Sequence, residues 1–186
     1  LSVAADANFV EIVEYLVAHG ADPNIPDYER PLHIAADWGN LEMVQVILSG
    51  RSFPQIDAKG ESNFTALGIA ASAGRLDIVS ILLDHGADPN LRNGRRNSSS
   101  PLHLAASKGH RSVMIELLKR GASPYPESKE FSPFHSACGS GWLDVMETFF
   151  EVVDDADELV NFEWGWSGIP VRSAASGGKL DAGKRS

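Results

Sequence analysis

The sequence predicts an all-α solenoid, with about five helix–turn–helix units stacked in file and a partial sixth. Three observations predict it. Self-similar segments recur along the chain. Each carries two short apolar runs separated by a glycine or an asparagine. Neither run can bury its apolar face without a neighbouring copy. Residues 65–90, TALGIAASAGRLDIVSILLDHGADPN, hold the unit complete. A turn leads into Leu67, Ile69, Ala70 and Ala71, and Gly74 breaks that run. Leu76, Ile78, Val79, Ile81, Leu82 and Leu83 follow, and Gly86 stops them. The second run fits a helix buried over a wide arc with a glycine C-cap. The first is too short to hold alone and carries alanines where bulk would block close approach.

The other copies keep the same punctuation. The mid-unit anchors are Asn8, Gly39, Gly74, Gly109 and Gly141, at separations of 31, 35, 35 and 32, and Gly178 lies 37 further on. Pro31-Leu32-His33, Pro101-Leu102-His103 and Pro133-Phe134-His135 open three of the units, and H-G-A-D-P-N closes two. These residues resemble the ankyrin repeat, which has a period of about 33 residues and a T-P-L-H-x-A signature. The resemblance covers nearly the whole chain. It implies helix pairs joined by projecting finger loops, and a binding scaffold rather than an enzyme.

Unit one spans residues 1–27. Val10, Ile12, Val13, Tyr15, Leu16 and Val17 form its outer helix, and Asn8 replaces the usual glycine. Asparagine tolerates the left-handed conformation best after glycine, so it fits the position. Unit two spans 28–57. Its end departs from the pattern at Gly50-Arg51-Ser52-Phe53-Pro54-Gln55, where a re-routed loop is expected to fold Phe53 onto the neighbouring helix. Unit three spans 58–93. Ala66 and Gly68 replace the proline and histidine of its turn, which should lose rigidity. Unit four spans 94–125 and opens with a long polar finger, Arg95-Arg96-Asn97-Ser98, expected to be mobile. Unit five spans 126–153. An acidic and aromatic insertion over 154–168 carries Trp164 and Trp166. A partial sixth unit and tail fill 169–186, with disorder expected over the last residues.

Composition narrows the function. The net charge of -9 argues against a general nucleic-acid binder. The single cysteine, Cys138, excludes an internal disulfide framework and fits a reducing compartment, the cytoplasm or the nucleus. No apolar run approaches the ~20 residues of a membrane span. Leu1, Val3 and Ile12 do not look like a polar end cap, so the chain is expected to be a monomeric piece of a longer protein.

No catalytic or cofactor site is expected. In the resembled family, the histidine at the positions of His33, His103 and His135 ties the turn to the neighbouring finger, and no H-E-x-x-H or paired C-x-x-C is present. Cys138 replaces the second alanine of its pair, a place for a small hydrophobe rather than a nucleophile. Asn24 and Asn90 are expected to stabilise their turns. They also match a position hydroxylated in some family members. Arg95-Arg96-Asn97-Ser98 has the form of a basophilic kinase site.

The resemblance places ligand contacts on the finger tips and on the positions just after the alanine pair. The candidates are Tyr28, Glu29, Asp37, Trp38, Phe64, Ser72, Arg95, Arg96, Ser107 and Lys108. Trp38 stands out, because an aromatic at a solvent-facing scaffold position suits a binding hot spot. The alternative is that it covers Phe64 or Tyr28. Small residues at Ala73, Gly139 and Ser140 would leave a hollow beside it. Arg92, Arg95, Arg96, Lys108, Arg111, Lys119 and Arg120, against the single Glu116, make a basic stripe. It is either a docking site for an acidic partner or a solvated face. The expected partner is another protein, or a segment of the same full-length protein for which this region acts as a regulatory arm. The competing function is an enzyme using the hollow near Asp37, Trp38 and Ser72 for a small molecule.

Overall fold

The computed structural model describes residues 1–25, 29–94, 99–125 and 132–153. Helices α1 (Ser2–Asp6) and α2 (Val10–Ala18) form the first pair, and α3 (Pro31–Trp38) and α4 (Leu41–Leu48) the second. Then come α5 (Ala66–Ala73) with α6 (Leu76–Asp84), and α7 (Pro101–Lys108) with α8 (Arg111–Lys119). Helices α9 (Pro133–Ser140) and α10 (Leu143–Val152) complete the described stack. Extended pairing among the described residues is confined to two isolated antiparallel bridges in the fingers, Lys59 with Thr65 and Asn93 with Ser99.

The odd-numbered helices pack on one another in one row and the even-numbered in a second, with each pair closed across the rows. The inner row can approach closely because Ala35, Ala70, Ala105 and Ala137 stand at its contacts, all fully buried. Leu32, Leu67, Leu102 and Phe134 point from the inner row into the seam. They meet Met43, Ile47, Ile78, Leu82, Met114, Leu117 and Phe149 of the outer row. The core is therefore a line running through the stack, and each segment of it belongs to two neighbouring units.

The punctuation behaves as the spacing predicts. Gly39, Gly74, Gly109 and Gly141 cap the inner helices in the left-handed conformation, with φ between 72° and 80°. Asn8 adopts φ 57° at the equivalent place. A contact between units that the spacing does not announce accompanies it. The residue after each anchor lies over the anchor one unit earlier. Asn40 Nδ2 donates to Asn8 Oδ1 at 2.9 Å. Arg75 covers Gly39, and His110 covers Gly74 while its Nε2 donates to the Ser72 carbonyl at 3.1 Å. Trp142 lies over Gly109, so close that a Cβ there would collide with the indole. Glycine is thus required at position 109 by packing as well as by backbone conformation.

The outer turns are also cross-linked. Asn90 Nδ2 donates to the Gly121 carbonyl at 3.1 Å, and Asn90 Oδ1 accepts from the Ser123 amide at 2.8 Å. Asn24 repeats the arrangement on the next turn, donating to the Phe53 carbonyl at 3.1 Å and accepting from the Gln55 amide at 2.7 Å. These asparagines join successive units rather than only bracing their own turns.

The expectation for Phe53 is corrected. Its side chain is 78% exposed and does not fold onto a helix. The clamp from Asn24 holds the backbone of this re-routed loop and leaves the ring pointing away. The turn of unit three also departs from expectation. Thr65 Oγ1 caps α5 by accepting from the Gly68 amide at 3.0 Å, and the fully buried Asn93 fills the space that the missing histidine leaves. The finger over 95–98, expected to be mobile, the 154–168 insertion and the 169–186 partial unit lie outside the described residues.

Candidate functional site

The three turn histidines are structural, and they differ in how they are held. Ser100 Oγ lies 2.7 Å from His103 Nδ1, and Ser132 Oγ lies 2.8 Å from His135 Nδ1. Each serine also caps its helix by accepting the histidine amide. His33 Nε2 donates to the Phe64 carbonyl of the next finger at 3.0 Å. Arg30 stands where the serines stand in the later units, so α3 has no side-chain cap and the buried Nδ1 of His33 has no hydrogen-bond partner. Burial holds the His33 pKa below its ordinary value, against an opposing pull from the nearby Glu29 carboxylate and the Phe64 carbonyl.

Cys138 is buried on α9, and burial pushes its thiol up to about 11. A thiol held protonated this firmly is a poor nucleophile. Among the described residues, no group of three or more His, Cys, Asp or Glu side chains is arranged to hold a metal ion.

The described residues enclose an open groove of about 610 Å³. The inner helices supply one side of it and the fingers the other. Its lining includes Glu29, Asp37, Trp38, Phe64, Ser72 and Lys108, six of the residues singled out in the sequence. They converge because Asp37, Trp38, Ser72 and Lys108 occupy the last turns of α3, α5 and α7, one or two positions before the anchor glycines. Helices stacked in register present those positions to one face. Ala73 also lines the groove, as expected of a small residue beside Trp38, whereas Gly139 and Ser140 do not.

Trp38 is 56% exposed and shares the groove lining with Phe64. Glu29 is less free. Its carboxylate accepts from the Arg30 amide at 2.9 Å and the Glu61 amide at 3.2 Å, clamping one finger to the next. Ser107 is outside the groove lining. Its hydroxyl bonds back to the Leu104 carbonyl at 2.9 Å, and its own carbonyl accepts from Trp142 Nε1 at 3.4 Å. Tyr28, Arg95 and Arg96 lie outside the described residues. Sequence reasoning did not single out Ile34 and Ile69, which line the groove as apolar floor, or Ser62 on its finger edge. A signal was present: Ile34 and Ile69 sit five positions before an anchor glycine, one turn below the exposed positions.

Among the described residues, the basic stripe does not form one surface. Lys108 faces the groove. Arg111 on the outer row bonds Thr148 at 2.9 Å and Glu151 at 2.6 Å. Arg120, just past α8, meets Asp84 at 2.7 Å and Glu116 at 3.0 Å. Its hydrogen bond to Asp84 above all holds its pKa above the ordinary value.

Comparison with known proteins is consistent with this geometry. A family model for ankyrin repeats in three copies matches residues 1–93, and one for many copies matches residues 69–119. Alpha-latroinsectotoxin-Lt1a of Latrodectus tredecimguttatus is 41% identical over 68 residues, which is 36% of this chain and 5% of the toxin. Transient receptor potential cation channel subfamily A member 1 of Homo sapiens is 35% identical over 69 residues, 36% of this chain and 6% of the channel. The chain thus spans only a small part of the length of these relatives. No helix among the described residues is long and apolar enough to cross a membrane.

Proposed function

This chain belongs to the ankyrin repeat family, and on that premise we propose that it is a non-catalytic scaffold whose partner docks in the groove around Trp38. Ankyrin repeats are in general protein–protein interaction modules. The observation that carries the assignment to this groove is the exposure of Trp38 above an apolar floor of Ile34 and Ile69. A rigid aromatic beside a preformed hollow contributes contact area with little ordering entropy lost on binding. The groove is open, which suits a peptide segment rather than a sequestered reaction. The partner is either a separate protein or another segment of the full-length polypeptide.

The test uses a displayed library of random dodecapeptides selected on the wild-type chain. Binding of the selected peptides should fall at least about tenfold in Trp38→Ala, equivalent to ~1.4 kcal/mol. Unchanged affinity in that variant would remove the groove from the account.

A further inference from the structure

The groove carries an uneven distribution of charge. Asp6 closes α1 and Asp37 lies in the last turn of α3, equivalent positions in consecutive units, and both line the groove. Glu29 adds a third carboxylate from the finger side. The exposed indole of Trp38 is next in sequence to Asp37 on the same helix end. Two units further along, Lys108 is the only lysine or arginine among the described residues of the lining. Among the described residues, Asp6, Asp37 and Lys108 have no ion-pair partner. The groove therefore presents an aromatic face next to unpaired negative charge at one end, an apolar floor of Ile34, Phe64 and Ile69, and one unpaired positive charge at the other.

Accepting the groove as the docking surface, we propose that its occupant is an extended peptide segment of a partner protein carrying a lysine or arginine. That cation seats against Trp38 with Asp6 and Asp37 on either side. An apolar side chain of the segment rests on Ile34 and Ile69. An indole face attracts a cation through its quadrupole, and flanking carboxylates reinforce the attraction where water is partly displaced. The same carboxylates repel an acidic or phosphorylated segment, so the positive end of the groove alone does not recruit one. The overall charge of -9 steers a basic segment toward the scaffold from a distance.

The far end of the groove sets a further requirement. Stacked helices lie ~8–10 Å apart, so Asp37 and Lys108, two units apart, are separated by ~15–20 Å. An extended chain covers that span in about five residues. A segment with an acidic residue about five positions from its cation would satisfy both ends.

The experiment measures dissociation constants of the library-selected dodecapeptides for the wild-type chain, Asp6→Asn/Asp37→Asn and Trp38→Ala, at low and high salt. The expected result is a lysine or arginine in the selected peptides. Its replacement by norleucine should weaken binding roughly tenfold, and the double asparagine variant should weaken it by a similar factor. Wild-type affinity should also fall as salt rises. If Trp38→Ala weakens binding but the double asparagine variant stays within about twofold of wild type, the cationic occupant is wrong and the groove stands. If Trp38→Ala has no effect either, both fall. The salt dependence of the wild-type complex decides the matter even if a variant folds poorly, because an affinity indifferent to salt rules the cation out.

Discussion

The amide oxygen of Asn93 accepts two hydrogen bonds from Thr65, one from its backbone N–H at 2.7 Å and one from its hydroxyl at 3.1 Å. Asn93 belongs to the following finger, and its Nδ2 donates in turn to the Leu91 carbonyl at 2.8 Å. The side chain occupies the space that His33, His103 and His135 fill in the other units. It fits because Gly68 has no Cβ, and an added one would fall on the Asn93 amide.

This arrangement inverts a familiar substitution effect. Glycine to alanine inside a helix normally stabilises by up to ~1 kcal/mol. Gly68→Ala should instead destabilise the wild-type chain, and become neutral or favourable once Asn93→Ala has vacated the space. Urea midpoints of the two single variants and the double variant measure the coupling. Additive effects would contradict the described packing.

The turn of unit two invites the opposite change. Arg30→Ser would supply the hydroxyl that caps α7 and α9 and that contacts Nδ1 of their histidines. A helix cap contributes ~0.5–2 kcal/mol and a buried hydrogen bond ~1 kcal/mol. The variant loses the bond from Arg30 to the Asn24 carbonyl at 3.2 Å, so a net gain of about 1 kcal/mol is expected. A lower denaturant midpoint would count against the comparison of units.

His33 also fixes a sign for pH dependence. Its folded pKa is depressed by burial, so the unfolded chain binds the proton first on acidification. Its contribution is constant above the unfolded value of ~6.5, falls as pH drops toward the folded value, and levels off below that. Proton NMR of the His33 ring should give a midpoint below ~6.5. A midpoint above that value would reverse the sign and remove the burial argument.

Much of this was legible in the sequence, and the parts that were not share a cause. The alanine pair, the anchor glycines and the left-handed Asn8 follow from local spacing, because each recurs at a fixed place within its own unit. The covering contacts do not. Asn40, Arg75, His110 and Trp142 share a position but no chemistry, and each acts on a residue one unit away. Asn93 is likewise a replacement supplied by the next finger. Phe53 failed for a different reason: hydrophobicity alone suggested a docked ring, while the backbone around it was already held by Asn24. In the groove, the exposed positions could be assigned from the repeat register, whereas Ile34 and Ile69 of the floor lie one turn below them, where hydrophobicity reads simply as core.

The linear core predicts its own sensitivity. Leu102 is fully buried between the rows, and Leu102→Ala should cost ~2–5 kcal/mol. Trp38→Ala, at an exposed position, should leave the thermal midpoint nearly unchanged. A calorimetric scan of both variants separates core from surface. Similar losses in the two would mean that Trp38 packs rather than binds.

The most direct measurement is an amide chemical-shift map of the chain saturated with a library-selected dodecapeptide. The account predicts that the shifts concentrate at Asp6, Asp37, Trp38, Ser72, Ala73 and Lys108, the groove-facing ends of α1, α3, α5 and α7. Shifts confined to the outer row, α2, α4, α6 and α8, with those residues unmoved, would contradict it.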